Sequence, residues 1–556
     1  MKNSLKQFLT LAFALAMVLV VSSCGDDDSS TDGPIISTPA AVTIDEGAST
    51  TVNFTISTPG GFAAVNVEAT NGTANVDSQP SAGDLNGIVS ITFEATGTGA
   101  GSVVITVSDA AGKTNTSTAV LNIMAQEASF STRDFSVDQG GVTFNYTEIS
   151  GVINEDFTFG ANRMWVLDGR VIVSSGAELT IEPGTIVKGR EGNGALASVL
   201  LIARGATIQA NGTASSPIIF TSFRDDINIG ETASTLDIDN DLGLWGGVLI
   251  LGNAPIVAGA AEEQIEGIPS SVTEGLYGGS AADDNSGSFT YVSIRFSGTE
   301  LAPGSELQGL TLGGVGSGTT ISHVESANSA DDGIEIFGGT VNISNFLVLN
   351  PDDDGFDADQ GWSGTASNLI YIGQKDGVGF DSDHAFELDG PEGSDSGDPE
   401  IGTFTKATIW GRSASDQADL RDGAQYNLNN MFFFGFDDGH QVELDADGSV
   451  DPNDDTKKLS DNEANAINYD TDVIVLTGLE FLESTGVVIG DLLGDKLKPE
   501  LTGDQAAATA RQGRNAAKFA ANNSMVSAGS SAAKADVSQF TWTMASAMGL
   551  LSNSNF

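Results

Sequence analysis

The chemistry this sequence offers is carried by acidic side chains at regular spacing. Asp331, Asp332, Asp352, Asp353, Asp354, Asp357 and Asp359 are followed by Asp376, Asp381 and Asp383. Several carboxylate oxygens converging on one point hold a hard cation such as calcium. The candidate ligands in this run are Asp332, Asp354, Asp357 and Asp376. A second candidate is a loop carrying Asp237, Asp239 and Asp241. Its match to an EF-hand loop is partial: Gly243 comes one place late, and Val248 stands where a bidentate glutamate belongs. For both sets the competing reading is aspartates that bond their own turn backbones.

Residues 380–389 are echoed by residues 436–445, with His384 and His440 56 residues apart. If both stretches are strands, Phe386 and Leu388 point inward while Glu387 and Asp389 point outward, and Val442, Leu444, Glu443 and Asp445 repeat the pattern. Paired carboxylates can do acid–base work on a glycosidic bond. A duplicated constellation, however, first reports a repeating scaffold. Cations for an acidic substrate are few, with Lys375, Lys406, Arg412 and Arg421 the nearest in sequence. Trp362, Tyr371 and Trp410 would stack on sugars if exposed; inward burial is the competing reading.

The scaffold that must position these groups is legible as a repeat. Asp332-Gly333 recurs as Asp354-Gly355 and as Asp376-Gly377, each step 22 residues. His323 and Asn345 share that spacing upstream. Earlier, Gly176 and Gly205 mark similar turns 29 residues apart. Short β-branched strands between Gly, Asp and Asn turns, at a period in the twenties, indicate a solenoid. Leucine-rich, ankyrin and tetratricopeptide patterns are absent, and propeller blades need about 40 residues or more. The expected fold class is therefore all-β, a right-handed parallel β-helix with an N-terminal cap over residues 125–470. About nine coils at about 4.8 Å each make a rod of roughly 40 Å. Ile334, Phe356 and Val378 are expected to stack inward. Residues 471–556 are expected to form a partly helical C-terminal cap, with one helix from Asp504 to Ala521, a second near 543–551, and Trp542 docked on the last coil.

The chain is 556 residues long with 75 acids against 23 Lys and Arg, a formal charge of −52. Such a balance excludes a general nucleic-acid binder, which must neutralise phosphates. One cysteine, Cys24, excludes an internal disulfide framework and a cysteine-based zinc site. Lys2 and Lys6 precede a largely apolar run from Phe8 to Val21, too short to span a membrane. It ends in Val21-Ser22-Ser23-Cys24, which resembles a bacterial lipobox. Residues 1–23 thus read as a lipoprotein signal peptide with Cys24 as the lipidated residue. The acidic stretch 24–35 reads as a solvated tether, similar to the tract behind the lipid cysteine in Bacteroidetes surface lipoproteins. Residues 36–124 alternate in short runs between turns and resemble an Ig-like β-sandwich.

From Trp165 onward the phrases PGTIVKG (183–189), LWGGVLILGNAPI (244–256), LYGGSAADDNSG (276–287) and SADDGIEIFGGTVN (329–342) are similar to a family of secreted bacterial β-helix proteins. Its members are often labelled lipoprotein or, misleadingly, multidrug transporter. The resemblance covers about 165–450 and implies the fold and export, with no catalytic residue to carry over. The sequence lacks an HExxH motif and has only three histidines. The expected function is a non-enzymatic lipoprotein, anchored in the outer membrane by lipid and facing the exterior. It would bind a glycan or other extracellular partner along its rod, with calcium as the cofactor. The alternatives are a polysaccharide lyase or glycoside hydrolase acting on acidic glycans, and a ligand-capturing accessory of an outer-membrane importer.

Overall fold

The computed structural model describes residues 33–97, 99–124, 130–139, 141–192, 194–299, 307–375, 382–390, 401–412, 415–436, 440–444, 464–495 and 505–556. Cys24 and the signal segment, Asp376, Val378 and Asp381 lie outside the described residues. Two compact units divide the chain near Asn122.

The first unit holds two four-stranded sheets. One is ordered Ile35–Ile36, Ser49–Ser57, Asn86–Ala95, Gly72–Ser78; the other Val42–Asp45, Thr114–Met124, Gly99–Asp109, Phe62–Thr70. Strand alternation decides their packing. Val52, Phe54 and Ile56 are buried on one strand and Val103, Ile105 and Val107 on another, while their neighbours face solvent.

The second unit is a parallel β-helix of three sheets. The first sheet stacks Val199–Ile202, Gly247–Leu251, Leu310–Gly313, Ile334–Phe337, Phe356–Asp359, Phe386–Leu388, Ala418–Leu420 and Val442–Leu444. The second and third sheets share long bent strands, such as Thr320–Ala327, Asn342–Leu349 and Thr365–Ile372. Each bend is made by one residue with positive φ: Tyr291, His323, Asn345, Asn368, Lys406 and Asn430. Asparagine tolerates this conformation because its side chain bonds locally. Asn368 donates to Asn345 at 2.6 Å, one coil to the next. The 22-residue spacing of His323 and Asn345 is this corner repeating.

Inward side chains of all three sheets merge into one continuous core. Ile334 pairs with Phe356 as expected. The next coil breaks the period: Phe356 pairs with Phe386, stacked at 5.3 Å between ring centroids. The third member of that stack is Phe386. The 56-residue echo is two coils, since Phe386–Leu388 and Val442–Leu444 both flank Ala418–Leu420. The recurrent glycines have a steric cause. A Cβ at Gly333 would clash with Val348, and one at Gly355 with the Tyr371 ring.

Parallel pairing runs on past residue 470, through Val475–Thr477 and Glu480–Leu482 to Ser524–Val526. The helix Gln505–Asn522 closes this end, with Phe519 fully buried in the core against Phe481. The last residues do something the sequence did not suggest. Phe540, Met544 and Ala545 pack on Ala327, Leu347, Leu349, Ile370 and Ile372, the outer face of the third sheet. Trp542 meets Tyr291 at 5.6 Å, far from the last coil where it was expected. The anchor is the buried Glu325 carboxylate, which accepts from Met544 N and Ala545 N, each at 2.9 Å. Among the described residues no helix is long and apolar enough to cross a membrane.

Candidate functional site: an acidic ladder

From Ile334–Phe337 to Val442–Leu444 the first sheet presents one acid per coil on its outer face. Register pairs Glu335 with Asp357, Asp357 with Glu387, Glu387 with Asp419, and Asp419 with Glu443. Three positions earlier, in the turn entering each strand, stand Asp332, Asp354, His384, Asp416 and His440. Parallel strands are about 4.8 Å apart, so like charges here are forced together by the fold.

Two constellations result. In the first, carboxylate oxygens of Asp332, Glu335 and Asp357 lie within 4.8 Å of one another. All three residues are buried, Glu335 exposing 8 % and Asp357 7 % of its surface. Glu335 Oε2 and Asp357 Oδ1 have no hydrogen-bond partner. Burial, and then neighbouring negative charge, pushes all three carboxyls well above the usual range. Asp353 beside them is raised to about 6, mainly by burial. Hard oxygen donors with spare lone pairs suit calcium.

The second constellation lies one coil on. Asp354 Oδ1 accepts from His384 N at 2.7 Å and meets His384 Nδ1 at 3.1 Å. Asp354, His384 and Glu387 offer ligand atoms within 4.8 Å. Although burial opposes its charge, His384 is raised to about 9 by the Asp354 carboxylate. Glu387 is raised to about 10, chiefly by burial and then by its hydrogen bond with Asp354. Burial works against the Asp354 charge too, yet His384 and Glu387 hold it below its ordinary value. Arg421 flanks the group, paired with Glu387 and, through Nε at 2.6 Å and a second nitrogen at 3.1 Å, with Asp389. A carboxyl held above its ordinary pKa, a carboxyl held below it and an imidazole held above it thus stand in contact. At the end of the ladder His440 Nδ1 meets Asp416 Oδ1 at 2.6 Å.

A pectate-lyase-like β-helix domain model matches residues 151–478, well over half of the chain and all of this ladder. The chain belongs to the pectate-lyase-like β-helix family. No curated protein matches it. Among solved structures, the SrpA adhesin of Streptococcus sanguinis aligns at 17 % identity over 20 % of this chain and 69 % of the adhesin, with a TM-score of 0.16. A point mutant of that adhesin aligns at 15 % identity over 23 % and 67 %, with a TM-score of 0.15. Neither likeness extends to the fold as a whole.

In this pectate-lyase-like β-helix, Asp332 and Asp357 share one cluster. Asp354, one coil above Asp332 as the 22-residue spacing suggested, donates its backbone N–H to Asp332 Oδ1 at 2.9 Å while its carboxylate joins His384 and Glu387. Asp237, Asp239 and Asp241 are committed elsewhere. Asp237 Oδ1 accepts from Asp239 N at 3.0 Å and Asp241 Oδ2 from Asp237 N at 2.9 Å. Lys375 pairs with Asp239, and Arg224 with Asp241 at 3.3 Å. That is the turn-bonding arrangement, tied down by two cations. Trp362 and Tyr371 are fully buried, not exposed. Trp362 donates to Val341 O at 3.0 Å and packs on Phe404. Trp410 is half-covered, with Phe434 stacked at 5.6 Å, Phe556 at 5.9 Å and Arg412 over its ring. The three rings serve packing, because an aromatic adjoining a coil gains more by burial than by exposure. Glu335 and Asp419 were missed. Their signal was present: an Asp or His, one residue, an apolar residue, an acid and another apolar residue recur at Asp332, Asp354, His384, Asp416 and His440.

Proposed function

We propose that this chain is a surface-anchored binding protein whose β-helix takes an extracellular glycan along the acidic face of its first sheet, with calcium as the bridging ion. One observation carries the reading: Asp332, Glu335 and Asp357 form a buried three-carboxylate cluster in which Glu335 Oε2 and Asp357 Oδ1 lack partners. Calcium would add positive charge beside these three carboxyls. Without it, a chain of net charge −52 repels an acidic polysaccharide. Cys24 would hold the protein in the outer membrane by lipid, behind the 24–35 tether, which would set the rod outside the cell.

The test is a calcium titration of the mature chain by calorimetry, followed by acidic-glycan binding with calcium and with chelator. Saturable calcium binding that is weakened in Glu335→Gln, and glycan binding abolished by chelator, are expected. Absence of calcium binding would remove the reading.

A second reading rests on the contact between Glu387, whose carboxyl is raised, Asp354, whose carboxyl is lowered, and Arg421. Two carboxyls driven to opposite protonation states by their surroundings are what acid–base chemistry requires. Here Arg421 would neutralise an acidic sugar and Glu387 would donate a proton to the leaving oxygen. Depolymerisation of an acidic glycan, lost in Glu387→Gln with calcium binding retained, would favour this reading over simple capture.

A further inference from the structure

A second site opens at the end of the ladder. A cavity of about 610 Å³ lies between the last coils and the cap, walled by Phe433, Phe436, Phe481 and Met525, with Gln417 and His440 as polar members. Its size falls in the range of about 300–1,000 Å³ typical of small-molecule sites. Phe433 is stacked on Phe481 at 5.1 Å and packed against Phe436 at 6.3 Å, so the aromatic wall is rigid. Phe436 is only half-buried and has surface left to offer.

The polar side is unfinished in the free protein. Gln417 exposes 4 % of its surface. Its Nε2 donates to His440 O at 3.3 Å, which fixes the orientation of the amide. Its Oε1 is then a buried acceptor with no partner. Such a group costs stability unless something donates to it. His440 is held by Asp416, which as a carboxylate only accepts, so Nδ1 carries the proton and Nε2 remains for another partner.

An aromatic face beside a buried acceptor matches a molecule with an apolar ring face and a hydroxyl at its edge. We propose that this cavity binds one neutral pyranose unit, its C–H face on Phe436 and a hydroxyl donating to Gln417 Oε1. Glu483 and Asp491 at the rim exclude an anionic sugar by repulsion. The site goes beyond the calcium reading and does not rest on it, because none of its groups belongs to the Asp332, Glu335, Asp357 cluster.

The experiment is saturation-transfer NMR on the full mature chain in chelator, with the methyl glycosides of glucose, galactose and N-acetylglucosamine as probes. Transfer to the ring protons of at least one glycoside is expected. Phe436→Ala and Gln417→Leu should each weaken it roughly tenfold, the size of one lost stacking or hydrogen-bond contact. Gln417→Leu should melt close to wild type, since it removes an unpartnered acceptor together with the Nε2 bond to His440 O. Glu335→Gln should leave transfer unchanged. No transfer to any of the three probes, or transfer equal in wild type and both cavity variants, overturns the proposal. Loss of the calcium response alone leaves it standing.

Discussion

Glu335 and Asp357 show how one fold position sets the chemistry of a side chain. Both sit on the outer face of the sheet, yet both are more than nine-tenths buried. They hold their protons more tightly in the folded chain than in the unfolded one, as does Asp332. The native state therefore binds more protons than the unfolded state, and stability from these groups falls as pH rises. It is complete below the unfolded carboxyl value of about 4 and is lost through the raised folded values, that of Asp353 being about 6. In chelator, the melting temperature should fall as pH climbs from about 4 to 7. The Glu335→Gln, Asp357→Asn double variant should show a shallower fall. An equal slope in both proteins would mean that overall charge, not this cluster, sets the pH dependence. Calcium competes with the same protons and should flatten the wild-type curve.

At the scale of elements, stacking and docking are separable. Phe356 is buried between Phe346 and Phe386, so Phe356→Ala should cost about 3–5 kcal/mol by denaturant unfolding. A change within error would reject the register. The C-terminal segment packs through Phe540, Met544 and Ala545 and is anchored by one buried carboxylate. Glu325 is fully buried and receives two backbone N–H groups, Ser293 Oγ at 2.6 Å and, at 3.9 Å, Arg295. Glu325→Ala leaves Arg295 buried without that countercharge, a loss of about 3–5 kcal/mol. Limited proteolysis should then cut within residues 535–556 first, while the coils stay protected. Simultaneous digestion of coils and segment would show that the two are not separable.

For the whole molecule, calcium and anchoring make independent predictions. A cation that binds only the folded chain stabilises it by about 2.7 kcal/mol at a hundredfold excess over its dissociation constant. Calcium, and not sodium of equal ionic strength, should raise the melting temperature. Identical curves with calcium and chelator would leave the acids as proton-bearing turn and sheet groups. Fatty-acid labelling should mark the wild type, and Cys24→Ser should release soluble protein. An unlabelled wild type would end the anchoring proposal without touching the fold.

The sequence by itself determined the solenoid, because coil-to-coil pairing repeats the same steric demands at nearly fixed spacing. Gly333 and Gly355 recur where no Cβ fits, and His323 and Asn345 recur where the strand turns through positive φ. The inward and outward faces of Phe386–Leu388 followed from alternation alone. The helix closing the end was visible too, expected from Asp504 to Ala521 and found at Gln505–Asn522. Tertiary structure alone decided the site. The coil after Phe356 is longer than 22 residues, so counting forward from Asp354 led to Asp376, whereas the chain brings His384 and Glu387 to that place. Insertions between coils cost little and leave no mark on the strands they separate. Exposure was likewise undecidable for Trp362, Tyr371 and Trp410, since an aromatic in a β-rich repeat has the same neighbours in sequence whether it faces core or solvent. The burial of Glu335, Asp357 and Glu325 was hidden for a related reason. What covers an outward-facing acid comes from chain far away in sequence, as Met544 and Ala545 do for Glu325 across 219 and 220 positions.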